Sequence, residues 1–134
     1  DAHKSCIILL DDMRSAYGRG DELDTDAHRY HEDVPTSFLI GGIGAPNWLL
    51  RENNDLAYRV PNDLELRAFL AVTGPLIAPS ANPQGQPPAR TIDEARAYFG
   101  DEVDMYIDGG EVPADTPPSR LLRIHDDGTV ERLR

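Results

Sequence analysis

Gly74-Pro75-Leu76-Ile77-Ala78-Pro79-Ser80-Ala81-Asn82-Pro83-Gln84-Gly85 is the stretch whose reading decides the fold. Leu76-Ile77-Ala78 reads as a short buried strand, and Pro79 ends it by fixing φ and removing a ladder donor. Ser80 and Asn82 then stand two residues apart on a loop shaped by Pro83 and Gly85. A hydroxyl and a carboxamide at the end of a strand offer donors and acceptors to a polar ligand. The same residue types also make an ordinary capped turn, and local chemistry alone favours that plainer reading.

Working outward, the segment before this stretch has the pattern of a helix. Asn62 or Asp63 caps it, Leu64, Leu66, Ala68, Phe69, Leu70 and Val72 give it a broad apolar face, and Gly74-Pro75 stops it. After the stretch, Gln84–Ala89 is a Pro-rich loop, and Thr91 with Glu94 forms a capping box for a helix through Phe99, with Gly100 at its end. Val103–Ile107 reads as a strand closed by Asp108-Gly109-Gly110, and Glu111–Pro118 as an extended loop. Leu121–Ile124 and Thr129–Leu133 flank Asp126-Asp127-Gly128 as a hairpin with a tight turn.

Towards the N-terminus, Cys6–Leu10 reads as a fully buried strand, followed by Asp11-Asp12 capping a short helix through Tyr17. Gly18 to Asp26 is a polar loop, and Asp24–His31 a helical turn or two. Thr36–Ile40 is a second strand closed by Gly41-Gly42. Ile43–Asn54 is a long loop with an apolar anchor in Trp48 and Leu49-Leu50, and Leu56–Val60 is a strand ending at Pro61. Strands and helices alternate and a hairpin closes the chain, so the fold class is α/β with a mixed sheet.

Composition narrows the function classes. The chain has 134 residues, enough for one domain with a real core. Thirteen Lys and Arg against 24 Asp and Glu leave a net charge of −11, which repels nucleic acid at long range and argues against direct RNA binding. Arg120, Arg123, Arg132 and Arg134 are the nearest thing to a basic patch. The longest apolar run, Cys6 to Leu10, suits a strand and cannot span a bilayer, so no membrane partner is expected. The lone Cys6 inside that run reads as a buried structural thiol. With no leader pattern either, the expected compartment is the cytoplasm. His3, His28, His31 and His125 do not have the spacing of a metal site, although His28 and His31 share a helical face.

In this order, the motifs resemble the YrdC-like domain of the L-threonylcarbamoyladenylate synthases. The matching pieces are Ile7-Ile8-Leu9-Leu10, Pro35-Thr36-Ser37-Phe38, Leu56-Ala57-Tyr58-Arg59-Val60-Pro61 and Gly74 through Asn82. Asp108-Gly109-Gly110, Pro118-Ser119 and a terminal strand with Arg132 continue the series. The resemblance implies a twisted mixed parallel/antiparallel sheet with flanking helices. It makes residues 1–134 a single YrdC-like domain lacking the family's N-terminal third, where a Lys-x-Arg element grips ATP. The implied reaction joins ATP, L-threonine and bicarbonate into threonylcarbamoyl-AMP for tRNA modification, with magnesium arriving on ATP and no protein-held metal. Other proteins of tRNA modification are then potential partners.

Carried onto this sequence, the resemblance implies that Arg59, Ala78 and Ser119 bind L-threonine, and that Ser80, Asn82 and Arg132 bind the nucleotide. A guanidinium at a strand end suits a carboxylate because it pairs bidentately. No residue is expected to act as a covalent or acid–base catalyst, since positioning and charge neutralisation suffice. The pattern also departs from the family: Asp55 stands where a threonine is expected four residues before the arginine, and Arg120 where one follows Ser119. A non-catalytic nucleotide- or partner-binding module and a fragment of a carbamoyltransferase are the alternative readings.

Overall fold

The computed structural model describes residues 7–16, 34–42, 44–51 and 54–134. The expected roles of Cys6 and of the 18–31 region, including His28 and His31, lie outside these residues. The chain divides into two compact units, one of residues 1–79 with 119–134 and one of residues 80–118.

The first unit is built on a six-stranded mixed sheet. In chain order its strands are β1 (Ile7–Leu9), β2 (Thr36–Gly41), β3 (Asp55–Arg59), β4 (Leu76–Ala78), β5 (Arg120–Ile124) and β6 (Val130–Arg132). Across the sheet they run β4-β1-β3-β2-β5-β6. β1 lies parallel to β3 and β2 parallel to β5, whereas the β1–β4, β2–β3 and β5–β6 pairs are antiparallel. The α/β class and mixed sheet expected from the sequence are therefore the observed architecture.

Register decides what each face carries. Phe38 pairs with Tyr58, Ile40 with Leu56, Ile8 with Tyr58 and Phe38 with Leu122. Directly paired residues point to the same side of a sheet, and their neighbours to the other. Ile8, Leu10, Phe38, Ile40, Leu56, Tyr58, Val60, Leu122 and Ile124 accordingly form one buried cluster, with Ala16, Ala45, Leu49 and Leu50 packed against it. Arg59, Ala57 and Asp55 alternate with this set and belong to the opposite face. Phe38 and Tyr58 are almost wholly buried, and each contributes about 1.5–3 kcal/mol by its burial.

Local chemistry set most element ends. The helix α1 (Leu64–Thr73) begins at Asp63, whose carboxylate accepts from the amides of Glu65 and Leu66, and ends at Gly74, whose φ of 81° suits glycine. Gly42 is required for a different reason: its N–H donates to Asn54 O, and a Cβ there would run into Leu50 and that carbonyl.

Four expectations about the first unit need correction. Leu76–Ala78 is a strand at the expected bounds but is not buried, because it forms the β4 edge of the sheet, and Ile77 is 49% exposed. α1 buries only Leu70, because its apolar residues are spread around the axis, leaving Leu64, Phe69 and Val72 exposed. Trp48 is no anchor: it is 76% exposed at a short 3-10 turn (Asn47–Leu49), and only Leu49 and Leu50 reach the core. The third strand runs one residue earlier than expected at both ends, Asp55–Arg59 rather than Leu56–Val60, because Asp55 pairs with Gly41 across the antiparallel ladder.

The second unit holds the helix α2 (Ile92–Phe99), capped by the Thr91 hydroxyl accepting from Glu94 N, and closed at Gly100. Val103–Ile107 is not a strand. Its alternation is genuine, but Tyr106 donates to Gly100 O and lies under the Arg96 guanidinium at 4.7 Å, which folds the segment back on α2. Arg90, just before α2, is tied to the 111–118 loop, donating to Val112 O and Glu111.

Candidate functional site

Arg59 is the centre of the site. The β3 ladder carries it to the strand's last position, and Leu10 N–H donates to its carbonyl at 3.0 Å, so the backbone is fixed. The side chain is half-buried, and Nε is buried with no hydrogen-bond partner among the described residues. Burial lowers the affinity of this guanidinium for its proton, yet an arginine so placed stays cationic. A cation partly stripped of water and lacking a carboxylate among the described residues has unfilled capacity for an anion.

One hydroxyl neighbours it on the sheet, and a second neighbours that hydroxyl. Phe38 pairs with Tyr58, so one step along the antiparallel ladder Ser37 is set beside Arg59 on the same face. Ser37 is fully buried, and its Oγ lies 2.9 Å from Ser119 Oγ. Ser119 follows the Pro-rich loop and immediately precedes β5, with its carbonyl accepting from Arg134 Nε at 3.0 Å. Ala78 is on this face too, paired with Ile7 two strands from Ala57.

The remaining site expectations fall elsewhere. Arg132 pairs with Leu122, on the face of Phe38 and Tyr58, so the register does not bring it to Arg59. Ser80 and Asn82 belong to the second unit. There Asn82 Nδ2 donates to Pro83 O and Gln86 O, closing its own loop, while Ser80 is exposed.

The two departures from the family pattern have structural explanations. Asp55 lies at the far end of β3 from Arg59, about 13 Å along the strand at ~3.3 Å per residue. It is neutralised in place, with Oδ2 3.1 Å from Arg123 Nη2 and Oδ1 3.6 Å from Arg51 Nε. Arg120 turns to Thr36 Oγ1, which itself donates to Val34 O. With Arg123 held by Asp55 and Arg134 by Ser119, three of the four arginines that suggested a basic patch make bonds inside the unit.

Two cavities lie away from Arg59. One of about 170 Å³ is lined by Asp55, Arg123, His125 and Asp126, the other, about 290 Å³ and mostly apolar, by Ile8, Tyr58, Trp48 and Ile77. Among the described residues no three His, Cys, Asp or Glu side chains are grouped to hold a metal, and no helix is long and apolar enough to cross a membrane. Ser37 is the site residue that sequence reasoning passed over. The signal was its position one residue before Phe38, legible only once the register with β3 was known.

One face of a mixed six-stranded sheet thus carries a partly buried arginine and a pair of bonded hydroxyls, in an α/β architecture. The Sua5/YciO/YrdC family model, described as telomere recombination, matches residues 1–134, and the chain belongs to that family. It is 34% identical over 107 residues to the threonylcarbamoyl-AMP synthase of Marinobacter nauticus, covering 78% of this chain and 55% of that protein. It is 38% identical over 90 residues to the Cellvibrio japonicus protein of the same name, covering 65% and 47%. The chain thus spans about half the length of these relatives. Among solved structures, the H234A/Y235A variant of P. abyssi Sua5 superposes with a TM-score of 0.81 at 21% identity, covering 100% of this chain and 42% of that one. P. abyssi Sua5 complexed with L-threonine gives 0.75 at 21% identity, covering 92% and 37%. These likenesses support the fold.

Proposed function

We propose that this chain is part of a threonylcarbamoyl-AMP synthase, a transferase of tRNA modification working in the cytoplasm, and that Arg59 receives the carboxylate of L-threonine. The observation that carries the reading is the half-buried Arg59 guanidinium, with no hydrogen-bond partner for Nε among the described residues, on the sheet face that also carries the bonded Ser37 and Ser119 hydroxyls. Relatives named for this activity support it, as does the L-threonine complex of P. abyssi Sua5.

In this reading the amine of threonine adds to the bicarbonate carbon with loss of water, giving a carbamate. A carbamate oxygen then attacks the α-phosphorus of ATP, its bond to the bridging oxygen breaks, and pyrophosphate leaves. Arg59 holds the carboxylate by paired charge-assisted bonds, Ser119 offers a hydroxyl to the amino acid, and the Ala78 main chain lines the site. Ser80, Asn82 and Arg132 are assigned to the nucleotide by the resemblance alone, and magnesium travels with ATP as substrate. Cations that gather on the phosphates, rather than a protein nucleophile, lower the barrier.

The register that sets Arg132 on the other face favours a second reading, in which the chain binds threonine without turning over ATP. Calorimetric titration of the chain with L-threonine, alone and with ATP and bicarbonate, tests both, followed by a pyrophosphate-release assay. Mutually enhanced binding with release supports the synthase. Threonine binding without release supports the second reading, and no threonine binding refutes the assignment of Arg59.

A further inference from the structure

The contact between Ser37 and Ser119 has a chemistry of its own. Each hydroxyl carries one proton and two acceptor lone pairs, so in a 2.9 Å contact one of them donates and the other accepts. Ser37 is wholly buried and sits in the interior of the β2 ladder, where neither its backbone nor its surroundings can move readily. Ser119 is only partly buried and lies at the junction of the 111–118 loop with β5. A serine there has three staggered χ1 wells available, and the contact with Ser37 selects one. We infer that Ser37 is a positioning residue for Ser119, fixing the direction and the donor–acceptor polarity of the hydroxyl offered to threonine; this rests on the threonine-binding reading above.

The direction of control follows from the difference in burial. The buried hydroxyl can reach no bulk water, so its bond to Ser119 is the one it must keep. When Ser37 donates, the Ser119 proton is left to point at a ligand oxygen; when it accepts, the Ser119 lone pairs face a ligand ammonium. Either way Ser37 acts without touching the amino acid, and its removal leaves Ser119 free to turn towards water.

The test is a double-mutant cycle read as the dissociation constant for L-threonine, with ATP and bicarbonate present. It uses the full chain as wild type, Ser37→Ala, Ser119→Ala, the double variant and Ser37→Thr, with a thermal melt of each. Ser37→Ala is expected to weaken binding about threefold to tenfold, the range of one ordinary hydrogen bond. The double variant is expected to bind no more weakly than Ser119→Ala, within about twofold. Ser37→Thr, which restores a hydroxyl, is expected to regain most of the loss, which a merely space-filling role does not require. If Ser37→Thr melts poorly because of its extra methyl, the cycle decides alone. Additive losses, or an unchanged constant in Ser37→Ala, overturn the inference while leaving the function intact. A wild type that binds no threonine overturns both.

Discussion

Replacing Arg59 with Met separates stability from binding. The substitution keeps an unbranched stem of similar reach, so the apolar contacts of the side chain survive, while the charge and all its donors go. In the ligand-free chain those donors are under-used: Nε is buried with no partner among the described residues, and burial opposes the charge. An unsatisfied buried donor costs about 1–3 kcal/mol, and the half-exposed guanidinium places Arg59 at the low end, near ~1 kcal/mol. For a chain of 134 residues, at about 2.1 cal/mol/K per residue, 1 kcal/mol moves the melting temperature by about 3–4 °C. Arg59→Met is therefore expected to melt about 3–4 °C higher than wild type. Threonine binding moves the other way, since a charge-assisted contact contributes about 1.5–3 kcal/mol, equivalent to about 10- to 150-fold in the dissociation constant. Scanning calorimetry and threonine titration on the same samples measure both. A variant that melts several degrees lower and binds threonine as wild type does would show that Arg59 is a structural residue, and the reasoning would fail.

Three further outcomes follow from the same structure. Asp55→Ala leaves Arg51 and Arg123 without their shared carboxylate, and since Asp55 is buried but the arginines are about one-third exposed, the expected loss is about 2–3 kcal/mol, below the range for fully buried pairs. A melting temperature within 2 °C of wild type, against an expected fall of about 7–10 °C, would contradict it. Asp127 has its carboxyl pKa depressed chiefly by the Thr129 hydroxyl and then by the Thr129 amide, so its contribution to the hairpin is present above the unfolded value of about 3.9 and is lost as pH falls through the lower folded value. NMR titration should find its midpoint below that of free aspartate and raised in Thr129→Val; an ordinary midpoint in wild type would sink the assignment. Trp48, the chain's single tryptophan, should emit like tryptophan in water and be fully quenched by acrylamide, whereas a blue-shifted, protected emission would restore it as an anchor.

Where the determining forces act between neighbours in the chain, the sequence was sufficient. Asp63 and Thr91 cap helices because their oxygens reach amides two or three residues on, and Gly74 and Gly100 end them because glycine tolerates positive φ. The hairpin at 120–132 follows from Asp126-Asp127-Gly128 between two runs of strand formers, and β4 from a proline on each side. Where a partner remote in sequence decides, the reading failed. Val103–Ile107 has a strand's alternation, yet Tyr106 is tied to Gly100, and a period of two cannot reveal whether a ladder neighbour exists.

By itself, then, the sequence determined the α/β class, the mixed sheet, the capped helices and an arginine near the end of β3. Those are properties of residue type, period and spacing, which travel with the chain. Only the tertiary structure decided that Ser37 stands with Arg59, that Arg132 does not, and that Asp55 is held by Arg123. A one-residue change of register would carry any of these side chains to the other face, so the register had to be settled by the burial of Phe38 against Tyr58 and Leu122.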